Sequence, residues 1–284
     1  MLAYETVAID GVGLIGGSIG LALRDRELAR QVVGIGRREA NLERAKQVGA
    51  IDRGTTDLAA GVAEAEVVVI CTPVDLVADR VAKVAAACRN GVFISDAGST
   101  KAAIVSAVDT VLAGRRGGPH FVGSHPIAGD HRTGVEHARA DLFDGRTVVL
   151  TPTDATDPDA VQQIKTFWER LGARVVTMNA EEHDSALAAT SHLPHLVAAA
   201  LAASTPRELI PLTAGGWRDT TRVAGGDARL WRAIFASNRQ HVLEALQRFE
   251  HSLEALRAAL ADGDDGRFEQ LLQEAKRTRD ALGD

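Results

Sequence analysis

The residues best suited to chemistry lie in short polar clusters that follow apolar runs. Gly123-Ser124-His125-Pro126-Ile127-Ala128-Gly129 comes directly after the strand-like run Phe121–Ser124 and reads as a loop. A histidine there is poorly explained by core packing, and its imidazole titrates near neutral pH, so His125 is a candidate general acid or base. A structural turn residue is the alternative. Asp96-Ala97-Gly98-Ser99-Thr100-Lys101 follows another run, Val92–Asp96, and the Ser99 hydroxyl is suited to orienting His125 or bridging it to a substrate. Farther on, Thr190-Ser191-His192-Leu193-Pro194-His195 reads as helix. Ser191 and His195, at i and i+4, share a face; His192 points elsewhere, and Pro194 is expected to kink the helix beside them. In Gly215-Gly216-Trp217-Arg218-Asp219-Thr220-Thr221-Arg222, Arg222 is able to grip a carboxylate through two parallel hydrogen bonds, with Asp219 orienting a neighbour. Ion pairing between helices is the competing reading.

A second kind of site opens the chain. Gly11-Val12-Gly13-Leu14-Ile15-Gly16 follows the run Thr6–Asp10 and starts a helical pattern, the context in which G-x-G-x-x-G cradles a dinucleotide. Gly11 permits the tight turn, Gly13 lets the backbone approach the pyrophosphate, and Gly16 lets helix pack close on strand. The helix start, at Leu14 and Ile15, offers free N–H groups to the phosphates. Where the second strand of an NAD site ends in an acid, this one ends Gly36-Arg37-Arg38. Two guanidinium groups suit a ribose 2′-phosphate, and so NADP; solvated arginines beside NAD are the alternative. Cys71-Thr72-Pro73 ends a third run where proline stops the strand, and is expected to shape the cofactor wall.

These clusters need a scaffold that brings strand ends together. Thr6–Asp10, Val32–Gly36, Glu66–Cys71, Val92–Asp96, Phe121–Ser124, Thr147–Leu150 and Arg174–Thr177 read as strands, with helical patterns such as Gly16–Arg24, Asn41–Val48 and Val74–Ala87 between several of them. That alternation predicts an α/β fold, a Rossmann-type doubly wound N-terminal domain over 1–178, with ligands at the carboxyl edge of a mostly parallel sheet. No strand-like run follows Met178, so 179–284 is predicted to be an all-helical domain. Its longest segment, about Ala228 to Ala261, places Phe235, Val242, Leu246, Phe249, Leu253, Leu256 and Leu260 along a seam that needs a partner helix. Either Arg267–Leu282 of the same chain or a second subunit would serve, and a homodimer built on these helices is expected.

Composition narrows the partners. The 284 residues hold 32 basic and 38 acidic side chains, spread along the chain, which argues against nucleic acid or an anionic membrane and leaves room for a small anionic substrate held by a few arginines. Cys71 and Cys88 have no metal-ligand spacing and read as small buried apolar residues in a reducing compartment. The start lacks a signal-like pattern and no uninterrupted apolar stretch reaches spanning length, so a soluble cytoplasmic protein is expected.

Taken in order, Gly11 to Ser18, Asp96 to Lys101, Ser124 to Gly129, Ser191 to His195, Arg218 to Arg222 and Trp231 make the chain resemble the prephenate and arogenate dehydrogenases of tyrosine biosynthesis over nearly its whole length. The resemblance implies an oxidative decarboxylation with hydride transfer to NAD or NADP. It implies that His125 accepts the proton of the ring hydroxyl with Ser99 in support, that Ser191, His195 and Trp231 line the substrate pocket, and that Arg222 binds a carboxylate. It also matches His183 and Asp184 to a His-Asp pair near the entrance. Many prephenate-using members continue the His-Pro motif with Thr-Glu, where this chain has Asp130-His131. Neither a chorismate mutase domain nor a regulatory domain is expected. Two other readings are a β-hydroxyacid-type dehydrogenase, which would use a helical-domain lysine although none lies between Lys165 and Lys276, and a non-catalytic dinucleotide sensor, which would not need His125, Ser99 and Arg222 together.

Overall fold

The computed structural model describes residues 3–114, 117–129 and 132–283. The first strands and helices alternate: β1 (Tyr4–Asp10), α1 (Leu14–Asp25), β2 (Ala29–Ile35), α2 (Glu39–Gln47), β3 (Arg53–Thr55), α3 (Leu58–Val62), β4 (Val67–Ile70), α4 (Val77–Ala87), β5 (Phe93–Asp96), α5 (Ala102–Leu112) and β6 (His120–Pro126). Two more strands, β7 (Thr147–Thr151) and β8 (Arg174–Thr177), flank α6 (Pro158–Arg170). All eight strands join one sheet in the order β3-β2-β1-β4-β5-β6-β7-β8. The first six run parallel, β7 is antiparallel to β6, and β8 is parallel to β7. This is the doubly wound Rossmann order, whose crevice opens where the winding reverses, beside β1 and β4.

Burial explains why these runs pair in parallel. Every residue of Val67-Val68-Val69-Ile70 is buried, as a strand covered on both faces requires. On one side Ile9, Ile19, Phe143, Phe167 and Trp168 share a core with α1 and α6; on the other, Ile35, Val68, Ile70, Val77, Val81 and Val108 pack under α3, α4 and α5. The short β3, Arg53-Gly54-Thr55, carries no apolar signal and was not expected from the sequence. The sheet also corrects the loop expected around His125. Antiparallel pairing with β7 carries β6 through Pro126, so His125 is a strand residue opposite Val149.

The chain then becomes helical: α7 (Ala180–Leu187), α8 (Leu193–Ser204), α9 (Gly215–Thr221), α10 (Ala228–Ser237), α11 (Arg239–Ala261) and α12 (Asp265–Asp280). Between α7 and α8 the helix does not stop but widens into a π-helical stretch, Ala188–His192, where Leu193 N–H bonds to Ala188 O. Pro194 offers no N–H to the carbonyl one turn back, and the wider turn takes up that irregularity in place of a simple kink. By length and mean hydropathy the rod 180–204 is apolar enough to cross a membrane. It nonetheless buries His183, Asp184, His192 and His195 inside the fold.

The segment read as one helix over 228–261 is two, interrupted at Asn238 (φ −115°, ψ 33°). The buried Asn238 side chain explains the break, because its amide donates to Asp184 O at 2.7 Å instead of facing solvent along a regular helix. By compactness the chain forms two units, Met1–Asn238 and Arg239–Asp284. In the second, α12 folds back on α11 through a turn at Gly263 (φ +69°), with Asp264 capping α12 by accepting Arg267 N–H at 2.9 Å. Leu253, Leu260 and Leu272 remain at least half exposed along this hairpin.

Candidate active site

The site is organised by a chain of three side chains. His125 Nδ1 lies 2.9 Å from His183 Nε2, and His183 Nδ1 lies 2.8 Å from Asp184 Oδ1. Asp184 also accepts Lys101 N–H on Oδ1 at 2.7 Å and Ala102 N–H on Oδ2 at 2.9 Å. Its carboxylate therefore closes the open N-terminus of α5, where free N–H groups favour negative charge. Burial alone would raise the pKa of this carboxyl, but the bonds from His183, Ala102 and Lys101 outweigh it and hold the pKa below its ordinary value.

Protonation follows from this order. An ionised carboxylate only accepts, so His183 donates to it from Nδ1; when that is the ring's one proton, Nε2 of His183 accepts and His125 donates from its own Nδ1. In that arrangement Nε2 of His125 carries no proton, and His125 lines an open cavity of about 640 Å³. Burial, followed by the electrostatic influence of His183, Lys101 and His192, pushes the His125 pKa well below the ordinary imidazole value. The ring is neutral at neutral pH and therefore able to accept a proton.

Below His125 the carboxyl ends of β5 and β6 are joined by buried polar groups. The Lys101 ammonium meets Asp96 Oδ2 and donates to Ser124 O at 2.9 Å. Asp96 in turn accepts Ser124 N–H at 3.0 Å and Gly98 N–H at 2.8 Å. The Ser124 hydroxyl bonds Asp96 O and accepts the Trp168 indole N–H at 3.1 Å.

The cavity gathers several of the residues singled out in the sequence: Ser99, His125, Ser191, His195, Arg222 and Trp231 all line it. The His195 and Trp231 rings stack with centroids 3.6 Å apart and planes 15° from parallel. Gly226 permits this, since a Cβ there would lie 2.6 Å from the Trp231 indole nitrogen. Ser99 lines the wall but makes no hydrogen bond to His125 among the described residues. Arg222 is exposed at the cavity and has no ion-pair partner among the described residues. Asp219 is exposed and does not line the cavity. His183 and Asp184 differ from the expected entrance position: both are fully buried behind His125, because their partners are His125 and the start of α5. Asp130 and His131 lie outside the described residues.

Sequence reasoning missed four members. Lys101 and Asp96 were part of a quoted motif but were given no task, and Asn238 was hidden inside a helical pattern. His192, expected to point elsewhere, is buried and lines the cavity, with Nδ1 3.2 Å from the Asn238 amide. Its i, i+3 spacing to His195 was the available signal. Burial lowers its pKa to about 4.

The glycine turn fits a dinucleotide. Gly11 has φ +102° and a Cβ there would lie 2.7 Å from Cys71 O, whereas a Cβ on Gly13 would meet no atom within 4 Å, leaving that face open to a ligand. A Cβ on Gly16 would press on Ile9 at 2.9 Å, as close helix–strand packing demands. No side chain caps α1 at Gly13 and no acid sits in its first turn, so the N–H groups at Leu14 and Ile15 are not neutralised locally. Thr72 Oγ1, between Cys71 and Pro73, is buried without a hydrogen-bond partner among the described residues. Burial, with Asp10 and Asp96 adding, pushes the Cys71 thiol far up, which suits a wall residue and not a nucleophile. Arg37 and Arg38 are exposed past the end of β2.

Comparison with known proteins agrees with this geometry. The sequence pattern of the prephenate dehydrogenase nucleotide-binding domain matches residues 19–177, and that of the prephenate dehydrogenase dimerization domain matches residues 179–274. Prephenate dehydrogenase of Bacillus subtilis is 35% identical over 285 residues, 98% of this chain and 76% of that one. The crystal structure of Aquifex aeolicus prephenate dehydrogenase with hydroxyphenyl propionate and NAD+ superposes with a TM-score of 0.90 at 32% identity, covering 98% of both chains. Synechocystis arogenate dehydrogenase gives 0.82 at 29% identity, over 98% of this chain and all of that one. Matched along both halves, and 35% identical over 98% of its length to one curated relative, this protein is a member of the prephenate dehydrogenase family.

Proposed function

We propose that the protein oxidatively decarboxylates a 4-hydroxycyclohexadiene carboxylate, prephenate or arogenate, to the corresponding phenol, with NADP favoured over NAD. The observation that carries the reading is His125, bonded to His183 and held neutral on the wall of a cavity it shares with Arg222, which has no ion-pair partner among the described residues. When bound, the nicotinamide supplies the hydride acceptor. His125 Nε2 accepts the proton of the ring hydroxyl as that carbon is oxidised, and the proton returns to oxygen as loss of carbon dioxide makes the ring aromatic. His183 and Asp184 hold the His125 ring in the productive tautomer and stabilise the imidazolium that forms. Arg222 binds a substrate carboxylate through its guanidinium. Ser99, Ser191, His195 and Trp231 shape the pocket around the ring, and Asp219 orients Arg222 from outside it. Gly11, Gly13 and Gly16, with the N–H groups of Leu14 and Ile15, receive the pyrophosphate, Cys71, Thr72 and Pro73 form the wall, and Arg37 and Arg38 meet the 2′-phosphate.

In this reading residues 1–178 bind the cofactor while 179–284 complete the substrate site and form a homodimer, which the half-open leucines of α11 and α12 and the dimerization-domain match support. One assay tests the function: both substrates against both cofactors, followed by reduced-nicotinamide absorbance. Turnover with at least one pair, and faster with NADP, is expected. Absence of turnover in all four would overturn the assignment, and equal use of NAD would overturn the cofactor preference.

A further inference from the structure

Lys101 lies in the DAGSTK segment, is fully buried, and touches no part of the cavity. Burying an ammonium costs several kcal/mol even when it is paired, so a purely structural anchor at this point would be better made from apolar side chains. Its bonds run in two directions. The side-chain nitrogen reaches Asp96 at the end of β5 and, at 2.9 Å, the carbonyl of Ser124, the residue that precedes His125 on β6. Its backbone N–H, at 2.7 Å, holds Asp184, the far end of the histidine chain. One residue thus fixes both the strand that carries His125 and the carboxylate that orients His183. Gly98 makes room for the pair, since a Cβ there would meet Asp96 Oδ2 at 2.8 Å and the Lys101 nitrogen at 3.4 Å.

Resting on the reading of His125 as the base, we propose that Lys101, paired with Asp96, is a positioning residue that holds His125 and His183 at bonding distance and so selects the His125 tautomer with Nε2 free. Among the described residues, the charged and titratable groups around His125 are His183 and Asp184 of α7, Asp96 at the end of β5, Lys101 at the start of α5, His192 of the π-helical stretch, His195 of α8, and Arg222 beside α9. Of these, Lys101 is the buried cation tied to the same strand. When its side-chain nitrogen is removed, the Ser124–His125 peptide loses its anchor, the His125–His183 bond lengthens, and the ring is free to take either tautomer. Loss of the neighbouring positive charge also lets His125 hold a proton more readily, which moves the point at which the base is lost toward higher pH.

The test compares Lys101→Met with the double variant Asp96→Asn/Lys101→Met. The double variant leaves no uncompensated buried carboxylate and stays foldable where the single one fails. Nitrogen-15 spectra of histidine-labelled protein read the His125 tautomer and its titration without any turnover. The wild type is expected to show a single Nδ1–H tautomer and either folded variant a mixture, with titration at higher pH in Lys101→Met, where the positive charge alone is lost. In steady state kcat is expected to fall by on the order of 10²-fold while KM changes far less, as for a misplaced catalytic group. The acid limb of kcat/KM is expected to move upward in pH in Lys101→Met and to move less in the double variant, which loses both charges of the pair. A folded variant that keeps the single tautomer, the wild-type limb and the wild-type kcat makes Lys101 a structural anchor only and overturns the proposal. If the wild-type tautomer is found but no substrate turns over, the reading of the function fails instead, and the spectra still decide the role of Lys101.

Discussion

The two ends of this site are built on opposite principles. Around His125 nearly every polar group has a protein partner: Lys101 with Asp96, Ser124 with Trp168, His183 with Asp184, Asp184 with the start of α5. At the binding end, Arg37 and Arg38 past β2 and Arg222 at the cavity are exposed and form no ion pair among the described residues. The difference separates two tasks. A group that must hold a chosen proton has its geometry set before the substrate arrives, because a disordered base wastes binding energy. A group that recognises an anion keeps its hydrogen-bonding capacity open, and the ligand supplies the missing partner. Damage at the first end should appear in kcat and in stability, and damage at the second in KM and affinity.

The sharpest way to break this contrast is His125→Asn, expected to lower kcat by a factor on the order of 10² or more, with cofactor affinity in a fluorescence titration unchanged. Turnover near that of the wild type would remove His125 from the chemistry. Next in size, Arg222→Ala is expected to raise KM for substrate by roughly 10- to 100-fold, the worth of charge-assisted hydrogen bonds, while the melting temperature stays put because no protein ion pair is lost. A fall in melting temperature with KM unchanged would move Arg222 to the paired, structural class. Replacing Arg37 and Arg38 together by alanine is expected to weaken NADP by about tenfold or more and NAD much less, measured by titration with each oxidised cofactor. Equal losses would refute contact with a 2′-phosphate.

The smallest effect is on stability against pH. His192 has a folded pKa of about 4 against an ordinary 6.5, so between these values the unfolded chain binds a proton that the folded one refuses. Its contribution is complete above pH 6.5 and is lost as pH falls toward 4. The melting temperature should decline over that window, and less steeply in His192→Gln; identical slopes would show that other groups govern the acid limb.

The residues that announced themselves in the sequence did so through local context. The glycine turn was legible because a tight turn, an open face and a close helix contact each demand glycine within a few residues. His125 was legible because glycine and proline surround it, and Val67 to Ile70 because a doubly covered strand is apolar throughout. What stayed hidden depends on partners far along the chain. Lys101 gains its meaning from Ser124 and Asp184, and Asn238 from Asp184 and His192, contacts no window of sequence displays. His125 was read as a loop residue because its strand partner, β7, lies beyond a long intervening segment. The entrance position expected for His183 failed for the same reason: only the folded chain shows that α5 begins where Asp184 ends.

The widened turn at Ala188–His192 sets the rotational phase of everything after it. A π turn takes in about one residue more than an α turn, and each residue of an α-helix advances the side-chain direction by about 100°. Along an uninterrupted α-helix, His183 and His195 would point about 120° apart; with one residue absorbed, the angle shrinks to about 20°. A histidine that bonds His125 and one that stacks on Trp231 can therefore be carried by a single rod. The number of residues between them is then as much a functional property of this helix as their identity.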